Sequence, residues 1–255
     1  AIGGGLLLLL GSAWGILVNV LIYIPVILWL WKAPYGPRFR KGDGAPAPRR
    51  RLKGFADFFE TMRLVKGMPV LASMVLLAGA VSFMVGNAHS AQMPEFARDL
   101  GAGNTGLFYS ILLAANAAGA LIGGLVLEGR GLLPPRPMTA FVLAILWCFA
   151  IIAFAVTTVY PVAVVLMLVA GFLNLSHNSM AQTLVQLNAP EDVRGRVIGL
   201  YSMSASGLKC FSGVTVGIVG GVIGIHWSLG LSAAILIVVI GGLISYGIRT
   251  NLSRR

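Results

Sequence analysis

Charge is what this sequence has least of. Only 11% of its 255 residues are charged, against roughly 25% in an ordinary soluble domain. Acidic residues number 8, and none of them falls inside a long apolar run. A membrane-embedded enzyme would need a convergent set of His, Asp, Glu, Ser or Cys at depth. The sequence has no H-E-x-x-H spacing and no paired carboxylates there, and no cofactor is implied. Cysteine is nearly absent too: Cys148 and Cys210 each lie within an apolar run, which excludes a disulfide framework. The chain starts at Ala1 without a basic segment ahead of its first apolar run, so that run does not read as a signal peptide. It reads as the end of a membrane helix in a longer chain.

What is present is apolar: 57% of the residues are hydrophobic, and the mean hydropathy is +0.88. Runs of about 20 apolar residues recur, each long enough to cross a bilayer core of about 30 Å. They do not alternate in polarity, which excludes barrel strands and leaves helices. Residues 1–11 are the tail of one helix. Complete spans are expected at Ala13–Trp31, Met68–Ser90, Asn104–Leu127, Met138–Val156, Pro161–Leu187, Val197–Ile225 and Ser228–Ile248. The net charge of +11 does not call for nucleic acid, because the basic residues collect in alternate loops. The segment 32–66 is strongly basic, 91–103 is not, Arg130 and Arg136 follow, Thr157–Tyr160 is uncharged, Arg194 and Arg196 follow, the turn at His226 is uncharged, and the C-terminus is basic again. This alternation places the basic loops and the C-terminus in the cytoplasm. The bilayer is thus the first partner.

The hydrophilic segment 32–66 divides in two. Its first part is rich in Pro, Gly and Arg and reads as a flexible linker. In 52–66, Leu52, Phe55, Phe58, Phe59, Met62 and Val65 recur at helical spacing, which predicts an amphipathic helix on the membrane surface; a regulatory or partner-binding segment is the alternative. The spans after it read polar, polar, apolar, polar, polar, apolar. Polar side chains at membrane depth face a wet interior, so 138–156 and 228–248 are expected to face lipid. The three-plus-three order is that of a transporter built from repeats.

Three stretches carry a family resemblance. Met93-Pro-Glu-Phe-Ala-Arg-Asp-Leu-Gly-Ala-Gly103, Gly119–Gly124 followed by Glu128 and Arg130, and Ala189-Pro-Glu-Asp-Val-Arg-Gly-Arg-Val197 resemble loops and a helix end of the C-terminal half of the major facilitator superfamily, in its branch of enterobactin and macrolide exporters. The resemblance implies an all-α integral membrane fold in which 12–31 is helix six and 67–255 is the C-terminal six-helix bundle, with the N-terminal half as the missing partner. It implies a secondary transporter that exports a small molecule such as a siderophore or drug by alternating access. A non-transporting scaffold or receptor is the competing class.

Lys209 is the sharpest single signal, because a lysine near the membrane midplane costs roughly 2.5–3.5 kcal/mol unless it faces a cavity or a partner. In the family resembled, an uncharged residue is usual there. The cavity reading makes it an attractor for an anionic substrate or for an acid in the missing half; the alternative is a lysine that stays neutral or snorkels. Asn174, His177 and Asn178, with Gln182 and Gln186, form a stripe that lines the cavity, with His177 as a proton relay, or else serves interhelical hydrogen bonding. Asn116 and Asn87 have the same two readings, whereas His89 and Gln92 are expected to be solvated. Glu128, Arg130, Glu191, Asp192, Arg194 and Arg196 mix both signs on one side, and the resemblance implies a cytoplasmic gate latch there. Gly213, Gly217 and Gly221 are expected to be a close-packing face.

Overall fold

The computed structural model describes residues 17, 20–32, 55–101, 105–128 and 133–249. The chain divides into two compact units, Ala1–Lys53 and Gly54–Arg255. In the first, α1 (Val20–Lys32) is an apolar helix that covers the later part of the span expected at Ala13–Trp31. Residues 1–11 and the linker up to residue 54 lie outside the described residues.

The second unit opens with α2 (Phe55–Lys66), where Asp57 in the first turn and Arg63 and Lys66 in the last complement the helix dipole. Two residues later α3 (Pro69–Met84) starts with proline at its first position, where the missing N–H is not needed. It breaks at Gly86, whose φ of 46° is in the region that favours glycine, and resumes as α4 (Ala88–Asp99). Together they make a 31-residue span. The stretch expected to be an outer loop from residue 91 is therefore helical as far as Asp99.

Next come α5 (Thr105–Gly123), extended by a π turn over Gly124–Glu128, and α6 (Pro137–Val156). A short extended link leads to α7 (Tyr160–Asn188). The fifth span is composite: α8 (Arg194–Ser202), a π turn at Met203–Gly207, and α9 (Lys209–Ile223). Gly224, at φ 87°, ends it, and α10 (Ile225–Arg249) follows at once. Six helices among the described residues are long and apolar enough to cross a membrane, at the places the apolar runs predict.

Helices in lipid gain little from hydrophobic burial, so they associate through close packing and a few hydrogen bonds. The closest approach is between α5 and α7. A Cβ at Gly119 would overlap the Leu168 carbonyl, and one at Gly171 would overlap the Asn116 carbonyl. At the uncharged end of the same pair, the Tyr160 hydroxyl donates to the Phe108 carbonyl at 2.8 Å. α6 packs between α7 and α10, with Trp147, Ile151 and Phe154 fully buried.

That position leaves 138–156, expected to face lipid, with one packed face and one open apolar face. In the most apolar part of α6, 56% of residues are buried, against 17% for Gly106–Leu127 and 19% for Arg194–Ile223. α6 has an exposed stripe through Val142, Leu146 and Phe149 and a packed face opposite. Apolarity alone could not separate the two, because lipid and a neighbouring helix ask for the same side chains.

Candidate functional site

Lys209 opens α9 directly after the second π turn. It is exposed, and among the described residues no carboxylate pairs with it. It stands near the middle of the 30-residue span Arg194–Ile223, roughly 22 Å along the helix from its basic end at 1.5 Å per residue. The segment around it is held from α3. The Ser82 hydroxyl donates to the Ala205 carbonyl at 2.6 Å, a bond that uses the widened turn, because a π turn disturbs the carbonyl register of an ordinary helix. A Cβ at Gly79 would sit 3.3 Å from Leu208. At the α3–α4 break, a Cβ at Gly86 would collide with Ser212, whose own hydroxyl donates to the Lys209 carbonyl at 2.8 Å.

The polar stripe on α7 does not act as one surface. At 3.6 residues per turn its five members fan over roughly half the helix circumference, and the structure divides them. Asn178 Nδ2 donates to Asn174 Oδ1 at 2.7 Å, and the Tyr201 hydroxyl of α8 reaches the Asn178 carbonyl at 3.3 Å. These two asparagines are half-buried, and Gln182 and Gln186 are exposed. His177 turns the other way and is 1% exposed, with its ring 5.4 Å from that of Trp147.

Sequence reasoning missed what lies beyond it. His89, expected to be solvated, is 2% exposed, and its ring is 6.4 Å from Trp147. The correction follows from the helix that resumes at Ala88 and turns His89 inward. Nδ1 of His89, Nε1 of Trp147 and Nε2 of His177 are buried with no hydrogen-bond partner among the described residues. No pattern in the sequence links the three.

Asn116 is half-buried, with its amide 3.4 Å from the Met167 carbonyl, a long bond at the α5–α7 contact. Asn87 is exposed at the α3–α4 break, where its carbonyl accepts the N–H groups of Ser90 and Ala91 in α4. At the basic end, Arg130 and the side chain of Glu128 lie outside the described residues. Glu191, Asp192 and Arg194 are exposed. Arg196 points elsewhere: its Nη1 is 3.6 Å from Oε2 of Glu60 on α2, so this cluster's ion pair runs to the amphipathic helix. Gly213, Gly217 and Gly221 are not a packing face among the described residues, since a Cβ at any of them meets nothing within 4 Å. The glycines that bring two helix backbones closest together are Gly119 and Gly171.

At the opposite end, His226 ties three spans together. Its Nδ1 is 2.6 Å from the Ala155 carbonyl, its Nε2 is 3.5 Å from Asp99, and its ring packs edge-on against Phe96. An apolar cavity of about 680 Å³ opens beside it, walled by Ile152, Ala155 and Leu231.

This arrangement has known counterparts. The chain is 25% identical over 158 residues to the enterobactin exporter EntS of Salmonella choleraesuis (strain SC-B67), a match covering 61% of this chain and 36% of that protein. Its fold matches the crystal structure of a bacterial homologue of the human lysosomal transporter Spinster, in an inward-facing and unoccupied conformation, with a TM-score of 0.58 at 18% identity. That match covers 96% of this chain and 61% of the other. The matches thus cover less than two thirds of the length of either relative. The sequence profile of the Major Facilitator Superfamily matches residues 1–214, and on that match, joined to the all-helical bundle of membrane-spanning length, the chain belongs to this superfamily of membrane transporters.

Proposed function

We propose that this chain is the C-terminal part of a secondary exporter that moves an anionic small molecule out of the cytoplasm by alternating access, with Lys209 as the cation that attracts it. The observation that carries the reading is the placement of Lys209: exposed, mid-span, and without a carboxylate partner among the described residues. A charge so placed faces water, a partner or a substrate rather than lipid. The N-terminal half closes the cavity from the other side and supplies any acid that balances Lys209 between transport events. Asn174, Asn178 and Asn116 stand along the same reading as polar lining, and Asn87 marks the break where the first span bends. Basic loops and the C-terminus lie in the cytoplasm, and the membrane is the bacterial inner membrane. The identity to an enterobactin exporter supports export and a siderophore-class substrate.

The test uses the intact protein in inside-out vesicles, with enterobactin as the first probe. Lys209→Met abolishes accumulation, and Lys209→Arg keeps part of it. Equal accumulation by wild type and Lys209→Met, at equal protein in the membrane, overturns the role of Lys209.

A further inference from the structure

The amphipathic helix α2 has two faces with different tasks. Asp57, Thr61 and Val65 follow one another at intervals of four and are all buried, against α8 and the start of α3. Beside that face Glu60 reaches Arg196 at the basic end of the fifth span. The expected apolar face is therefore split. Phe58 and Val65 pack into the bundle, while Phe59 is 64% exposed and Met62 is 45% exposed.

At about 100° per residue, Phe59, Met62, Arg63 and Lys66 fall within roughly 100° of arc, centred about 150° around the helix from the buried face. All four are exposed. Two apolar side chains beside two cations is the pattern of a surface that dips into the acyl boundary while its charges meet headgroups. The tether fixes where this surface can be. α2 ends at Lys66, and a membrane-spanning helix begins at Pro69, so α2 lies at the bilayer boundary on the basic side, with the headgroups within reach of its outward face.

From this we infer that the outward face of α2 is a binding surface for the anionic headgroups of the adjoining leaflet, with Arg63 and Lys66 as the headgroup ligands and Phe59 and Met62 inserted beneath them. The occupant is the bilayer itself. Complementary charge selects it, and the two-residue tether brings it within reach. Through Glu60 and Arg196 the same helix touches the span that carries Lys209, so lipid charge bears on the cytoplasmic start of that span. The inference does not depend on the direction of transport or on the substrate.

The experiment places an environment-sensitive nitrobenzoxadiazole label at position 62 (Met62→Cys, with Cys148 and Cys210 replaced by Ala) in the intact protein. The protein is reconstituted in nanodiscs of phosphatidylcholine, or of equal phosphatidylcholine and phosphatidylglycerol. Two cations near an anionic surface favour contact about thirty-fold. The label should therefore shift to the blue and resist iodide quenching in the anionic discs, and Arg63→Gln with Lys66→Gln should return it to the neutral-disc value. High salt should weaken the effect, since the charges are exposed. Positions 63 and 66 are at the surface, and an unchanged gel-filtration profile of the double variant shows that it folds. Equal quenching in both discs, or an unchanged signal in the double variant, overturns the inference.

Discussion

Gly171→Ala is the sharpest test of the packing described here. A methyl group at 171 would overlap the Asn116 carbonyl oxygen and stand 2.8 Å from its carbonyl carbon and 3.0 Å from its Cα. Carbon atoms pack at about 3.5–4.0 Å and the carbonyl oxygen is nearer still, so α5 and α7 must part by more than about an ångström. Every atom struck is backbone, and none can rotate aside. Overpacking of this kind costs about 1–3 kcal/mol, and alanine's better helix propensity recovers less than about 1 kcal/mol of it. The control is Gly230→Ala on α10, where the new methyl meets the Ala155 side chain at an ordinary 3.7 Å. For a bundle of this size, 1 kcal/mol moves Tm by about 2–4 °C. Thermal scans of the intact protein in detergent should show Gly171→Ala melting lower by several degrees and Gly230→Ala unchanged or slightly higher. If both melt together, α5 and α7 do not approach as described.

Ser82→Ala removes the hydroxyl that holds the Ala205 carbonyl at 2.6 Å and should cost roughly 0.6–2 kcal/mol, the range for a hydrogen bond between membrane helices; Ser82→Thr, measured in the same melts, should recover part of it. Asn116→Ala gives up only a 3.4 Å contact to Met167, so its stability should stay within about 0.5 kcal/mol of wild type. A fall in enterobactin accumulation at unchanged Tm then assigns Asn116 to the cavity, and no fall leaves it to packing.

The span positions were legible because length and hydropathy are properties of one helix at a time. Tyr160–Asn188 replaces an expected Pro161–Leu187, and Pro137–Val156 an expected Met138–Val156. What a helix packs against is a property of pairs, and there the sequence was a weaker guide. Trp147 sits in an apolar run whether it faces lipid or, as found, the two buried histidines. The glycines at 213, 217 and 221 have the spacing of a close-packing face, yet Gly119 and Gly171, on two different helices, make the contact. Arg196 had three acidic residues near it in the gate reading, and its partner Glu60 came from a segment read as membrane surface. Lys209 was legible because an isolated charge in an apolar run is unusual whatever surrounds it.

The π turn at Met203–Gly207 decides where Lys209 points. Val197, Leu200 and Tyr201 mark the buried face of α8, and Ser212, Val216 and Gly220 that of α9. In an uninterrupted helix at about 100° per residue, Val216 would lie about 100° away from Val197, and the two parts of the span would bury different faces. A π turn takes up one extra residue, which subtracts that angle and brings both faces into line. The same angle moves Lys209 from about 120° to about 20° from the shared face, at a position where its side chain stays exposed. Deleting Ala205 removes the extra residue and should rotate Ser212 and Val216 out of the packed seam and turn Lys209 with them. The expected loss exceeds the roughly 3 kcal/mol of an ordinary substitution, and accumulation of enterobactin should vanish with it. Adding one alanine after Gly207 to the deleted chain restores the register without restoring the original sequence, and should return both Tm and transport. A deletion that leaves both untouched, or an insertion that rescues neither, would show that the register of the π turn does not aim Lys209.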